Sequence, residues 1–136
     1  QKEMVKTWPF RKEFGIPVWH LGLPISYLLE LCDTWGRVCF GSAGEFWQIG
    51  TTKWCGKMDE AFNAMTNTFG WQLPWVHGLR MLGLSSGPWP LASADSTNVA
   101  LHHAEKQVCA GCMAKRIDST NPPLIWEQKP IQEILL

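Results

Sequence analysis

The chain has 136 residues and a mass of 15.4 kDa, which bounds it to one ordinary domain. Its twelve basic and twelve acidic side chains cancel, so no global positive field draws it to nucleic acid. With 46% hydrophobic and 18% charged residues it can pack a core, and its twelve glycines and nine prolines follow no period, which excludes collagen-like and low-complexity classes.

No apolar run approaches the roughly 18 residues a membrane span needs, so no membrane partner is expected. Position 1 is Gln and no signal peptide is seen, so the chain is expected to begin inside a longer product. Five cysteines (Cys32, Cys39, Cys55, Cys109 and Cys112) make an odd count. Without a secretory segment they suit a reducing, cytoplasmic setting better than a disulfide framework.

Residues 1–15 form a polar lead-in resembling the end of a helix. Residues 16–21 are apolar, bounded by Gly15 and Gly22, and predict a buried strand. Pro24 opens a helix over ISYLLELCDTW, and Gly36 stops it. Residues 37–40 predict a second strand, which runs into Gly41, Ser42, Ala43, Gly44 and Glu45. A second helix is predicted over 52–69, with Trp54, Met58, Ala61, Phe62 and Met65 as one apolar stripe.

A third strand is predicted at 73–77, a helical turn at 78–84 and a fourth strand at 91–94 ending at Asp95. A helix over 104–117 and a proline-broken tail with an apolar end complete the chain, and that tail has to dock on something. The nine tryptophans are expected mainly in the core and between helices and sheet.

Four β-α units in succession imply parallel strands. Strands this short and apolar are expected to be covered on both faces. Four units are half of a (β/α)8 TIM barrel; an open parallel α/β sheet is the alternative. Half a barrel calls for a missing N-terminal half, a partner chain or a homo-oligomer.

In such folds chemistry gathers at the carboxyl ends of the strands. Those ends carry His20, then residues 41–45, then His77 and Arg80, then Asp95. Asp95 suits a nucleophile or an Asx-turn cap. Gly41 and Gly44 suit close backbone approach to a flat ligand, or a simple turn. Glu45 reads as a group recognising a donor edge or as a solvated cap. His20 and His77 read as site or rim histidines, and Arg80 as a phosphate contact or a surface ion-pair partner. Cys109 and Cys112, with His102 or His103 before them, have spacing that a zinc site can use, although a lone Cys-x-x-Cys is a weak signal.

The runs VWHLG, RVCFGSAGEF, VHGLRML and PLASADSTNVA resemble the C-terminal half of phage and bacterial proteins of the tRNA-guanine transglycosylase superfamily. The nearer likeness is to members that put 7-deazaguanine bases into DNA, and it covers roughly residues 16–100. The resemblance implies a (β/α)8 barrel and a base-exchange reaction; no cofactor is expected other than a zinc ion that the cysteine spacing could hold. It implies that Asp95 is the nucleophile, forming a covalent glycosyl-enzyme intermediate, and that the 41–45 loop binds the base. DNA or tRNA and a 7-deazaguanine base are then the partners.

The family's acid/base and base-recognition aspartates belong to the other half of its barrel. Its tRNA enzymes carry a three-Cys, one-His zinc site where this chain has two cysteines and a histidine pair. Asn98, Val99 and Ala100 stand where arginines often follow the nucleophile. Two rival readings are a metal-dependent barrel hydrolase and a non-catalytic binding or assembly module.

Overall fold

The computed structural model describes residues 1–96, 112, 115 and 122–129. Helix α1 (Lys2–Lys6) and a 3-10 turn (Lys12–Phe14) precede strand β1 (Val18–His20). Helix α2 (Ile25–Trp35) leads to β2 (Arg37–Gly41), and helix α3 (Thr52–Phe69) to β3 (Trp75–Gly78). A 3-10 turn (Leu82–Leu84) then precedes the two-residue β4 (Ser93–Ala94). The four strands form one parallel sheet in sequence order, β1-β2-β3-β4.

Both long helices end where the local chemistry says they should. Pro24 occupies the N-cap of α2, and Gly36 closes it in the left-handed region at φ 68° with its N–H donating to the Cys32 carbonyl. Thr51 caps α3 by accepting from the Trp54 N–H at 3.3 Å. Gly70, at φ 73°, ends that helix.

Sequence order in a parallel sheet brings the crossing helices to one face. Trp19, Val38, Phe40 and Val76 alternate onto that face and are fully buried. Helix α2 packs on β1 and β2 and against α3. Phe62 of α3 meets the Phe40 ring at 5.7 Å, and Trp54, Met58, Ala61 and Met65 fill the space behind it.

The opposite face differs from expectation. Val18, Cys39, His77 and Ser93 lie in one row across all four strands. Cys39 is buried, Val18 and His77 are half-buried, Ser93 is exposed, and Trp75 on the same face of β3 is 72% exposed. Cover on both faces is therefore not found among the described residues. Helices on a single face are what sequential winding produces, whereas cover on both faces needs a strand order that reverses.

The tail does dock. Trp126 is buried against Phe62, and its indole N–H donates to Asn63 Oδ1 at 2.8 Å. Asn63 also brackets Lys129, accepting from its N–H at 3.2 Å and donating to its carbonyl at 2.8 Å. Asp59, Asn63 and Asn67, spaced one turn apart on α3, all hold this segment. The predicted helix over 104–117 and the apolar end beyond residue 130 lie outside the described residues. The tryptophans divide: Trp19, Trp54, Trp89 and Trp126 are buried, Trp35 is half-buried against the core, and Trp8, Trp47, Trp71 and Trp75 are exposed. No helix among the described residues is long and apolar enough to cross a membrane.

Candidate functional site

The polar groups that converge lie at the carboxyl ends of β3 and β4. Ser93 stands directly opposite His77 in the β3-β4 register. Side chains alternate with a period of two, so Asp95 falls on the same face as Ser93. One imidazole therefore reaches both residues. His77 Nδ1 lies 2.7 Å from Ser93 Oγ, and Nε2 lies 3.3 Å from Asp95 Oδ2.

The other carboxylate oxygen is held by the main chain. Arg80 adopts φ 59°, uncommon for a side chain this large. In that conformation its N–H donates to Asp95 Oδ1 at 2.5 Å. The turn is fastened twice more: Asp95 N–H donates to the Gly78 carbonyl at 3.2 Å, and Leu82 N–H donates to the Asp95 carbonyl at 3.1 Å. Gly78 is obligatory here, because a Cβ would come within 2.8 Å of Met81 Cβ in the fully buried floor below.

These contacts set the charge. The Arg80 backbone N–H holds the Asp95 carboxyl below the usual carboxylate range; partial burial opposes it, and the His77 hydrogen bond and charge and the Arg80 charge add to it. The Asp95 side chain remains 52% exposed, so an ionised carboxylate stands open to an incoming molecule. Burial pushes the neighbouring Cys39 thiol up, and the Asp95 charge pushes it further. Both effects disfavour the Cys39 thiolate.

The remaining sequence candidates are placed elsewhere or engaged otherwise. His20 ends β1, three strands from Asp95, or roughly 14 Å at ordinary strand spacing. Its ring lies over Gly41: a Cβ there would sit 2.5 Å from His20 Nδ1. Gly41 is thereby explained by a neighbouring side chain, without any ligand. Ser42 Oγ accepts from the Trp54 indole N–H at 2.9 Å, tying the loop to α3. Ala43 is extended, Gly44 takes the positive φ of 59° that begins the next turn, and Glu45 pairs with Lys53 on the surface. The Arg80 guanidinium is exposed, and this residue serves the cluster through its backbone.

Ser93 is the participant that reading the strand ends alone misses. The signal was present in the alternation Ser93-Ala94-Asp95, which puts both polar side chains on one face. An apolar hollow of about 310 Å³ between the N-terminal segment and β1 touches His20 but not Asp95.

Of the zinc candidates, His102, His103 and Cys109 lie outside the described residues. Cys112 is helical, exposed and disulfide-bonded, which takes its sulfur out of use as a thiolate ligand and departs from the expectation of reduced cysteines. Among the described residues, no group of three or more His, Cys, Asp or Glu side chains is placed to hold a metal ion. No family model, curated protein or solved structure matches the chain.

Proposed function

We propose that this chain supplies four βα units of a transglycosylase-like barrel, with Asp95 as the nucleophile of base exchange in DNA or tRNA. The observation that carries the reading is the Asp95 carboxylate itself. It is ionised, half exposed, and held by two donors at the carboxyl edge of a parallel sheet. A nucleophile needs that charge, and an oxocarbenium-like transition state needs a carboxylate beside it.

The chemistry balances without oxidant or reductant. An Asp95 oxygen attacks C1′ of a guanine nucleotide, the C1′–N9 bond breaks, and its electron pair leaves with guanine, which takes up a proton. The incoming 7-deazaguanine then attacks C1′, loses its own N9 proton and displaces Asp95. The acid and base for those protons belong, by the resemblance, to the barrel's other half.

Three features favour a half barrel over an open sheet complete in itself. The strands run in sequence order, the helices lie on one face, and the row Val18, Cys39, His77 and Ser93 faces the side a barrel would enclose. The apolar hollow beside β1 also suits further protein there. We place the other half in a longer product, a partner chain or a second copy, in the cytoplasm.

The test is intact-protein mass spectrometry after incubation with guanine-containing DNA or tRNA and a 7-deazaguanine base, with the other half supplied. A covalent adduct absent from Asp95→Asn supports the reading, and the productive nucleic acid names the acceptor. No adduct from the completed protein overturns it and favours a binding module. Stoichiometric bound metal would favour the hydrolase.

A further inference from the structure

A histidine at a strand end suits contact with substrate, but both ring nitrogens of His77 are already engaged. Nδ1 faces Ser93 Oγ at 2.7 Å and Nε2 faces Asp95 Oδ2 at 3.3 Å. We propose that His77 is a positioning residue, whose tautomer is fixed by the Asp95 carboxylate and whose ring is steadied by Ser93, and which in turn aims that carboxylate; the role rests on Asp95 being the nucleophile.

The assignment follows from donor counting. An ionised carboxylate only accepts, so Nε2 carries the proton and donates to Oδ2. A neutral ring with its proton on Nε2 leaves Nδ1 as an acceptor. The Ser93 hydroxyl, which can donate, completes the chain Ser93 to His77 to Asp95 with every group in one consistent role.

The geometry also fixes which way the carboxylate turns. Rotation about the Asp95 Cβ–Cγ bond would break the bond to His77 at one oxygen and the bond to Arg80 N–H at the other. Because Arg80 contributes a backbone group, His77 is the side chain through which that orientation can be altered. The strand register makes the arrangement stiff. Ser93 and His77 are cross-strand partners, so the imidazole is anchored on β3 while it spans Ser93 of β4 and Asp95 just beyond it. With the ring so committed, contact with a base or phosphate falls to other groups, and the effect of His77 on the reaction passes through Asp95.

Two measurements test this. Histidine-ring 15N spectra of the chain at about pH 8, where histidine is ordinarily neutral, should show His77 protonated on Nε2. The resonance is assigned by its loss in His77→Gln. An Nδ1-protonated ring overturns the proposal whether or not the chain has any activity.

The second compares adduct formation in wild type, His77→Gln and His77→Leu, with the other half supplied. Glutamine keeps an N–H near the Nε2 position and leucine does not. His77→Gln should trap within about threefold of wild type, while His77→Leu slows trapping by roughly 10- to 100-fold at unchanged KM, the size expected for a lost hydrogen bond to a charged group. Wild-type rates in His77→Leu, or a change confined to KM, would refute positioning while leaving Asp95 as nucleophile. If wild type forms no adduct, the nucleophile reading falls, and the ring spectrum still decides the hydrogen-bond chain.

Discussion

Gly41 sits where the sequence suggests a backbone surface for a flat base, yet the structure gives it a neighbour of its own. A Cβ at this position would lie 2.5 Å from His20 Nδ1, 2.8 Å from His20 Cε1 and 3.5 Å from Val18 Cγ1. Ordinary carbon contacts need about 3.5–4.0 Å, so the imidazole must retreat by roughly 1 Å. His20 Nδ1 is buried and has no hydrogen-bond partner among the described residues, so packing alone holds the ring there.

Overpacking of this kind costs about 1–3 kcal/mol, which for a chain of this length lowers Tm by roughly 4–12 °C. Removing the imidazole should reverse the sign. In a His20→Ala background both close contacts are gone and Val18 Cγ1 stays at ordinary contact distance, so replacing glycine in a strand then stabilises by about 0.5–1 kcal/mol. The coupling between the two sites is therefore about 1.5–4 kcal/mol. Urea unfolding of wild type, both single variants and the double variant, followed by tryptophan fluorescence, measures it directly. Equal costs for Gly41→Ala in both backgrounds would refute the argument.

Three further outcomes follow from contacts described above. The Asp95 pKa is lowered in the folded state, so its contribution to stability is present above the unfolded value and is lost as pH falls through the folded one. The stability gap between wild type and Asp95→Asn should hold from neutrality to about pH 4 and close below it, as read from urea midpoints across that range. Asn63→Ala should cost about 1–3 kcal/mol, because it leaves the buried Trp126 N–H and the Lys129 backbone without their partner, and limited proteolysis should then cut near residue 126 first. The Cys32 thiol is pushed up to about 12 by burial, and burial also raises Cys39. Iodoacetamide at about pH 8 should spare both in the native protein and label them on unfolding, as peptide mass spectrometry would show.

The parts of this fold governed by local chemistry were legible in the sequence. Pro24, Gly36 and Gly70 mark helix ends in ways that need no tertiary context, and the bounds of α2 and α3 fall where those residues put them. The strands were legible as apolar runs but not in extent. Predicted strand 91–94 shrinks to Ser93–Ala94, the two residues in ladder register with His77 and Gly78 of β3. Predicted strand 73–77 shifts to Trp75–Gly78 for the same reason: the register with β2 defines it.

The site divides along the same line. His77 and Asp95 stood out as titratable residues at strand ends, but their meeting depends on register, which one sequence does not display. Ser42 and Glu45 were matched to a ligand role by position along the chain. Their engagements with Trp54 and Lys53 come from α3, packed beside the loop, and no local pattern announces them.

The docking of the tail on α3 has a consequence for how the molecule is made. Asn63 is separated from Lys129 by 66 residues, so a growing chain exposes this asparagine and its helix long before the groups that satisfy it exist. The sheet's first three strands and both long helices are complete by Gly78. During synthesis the early product is therefore a nearly finished layer whose α3 surface still carries an unsatisfied amide and an uncovered Phe62. Closure of that surface is a late, long-range step, of the kind that slows folding and prolongs exposure to chance partners. Trp126 and its neighbours behave as a latch added after the sheet, and the time to reach the native state should depend on this later segment more than on the strands that hold the site.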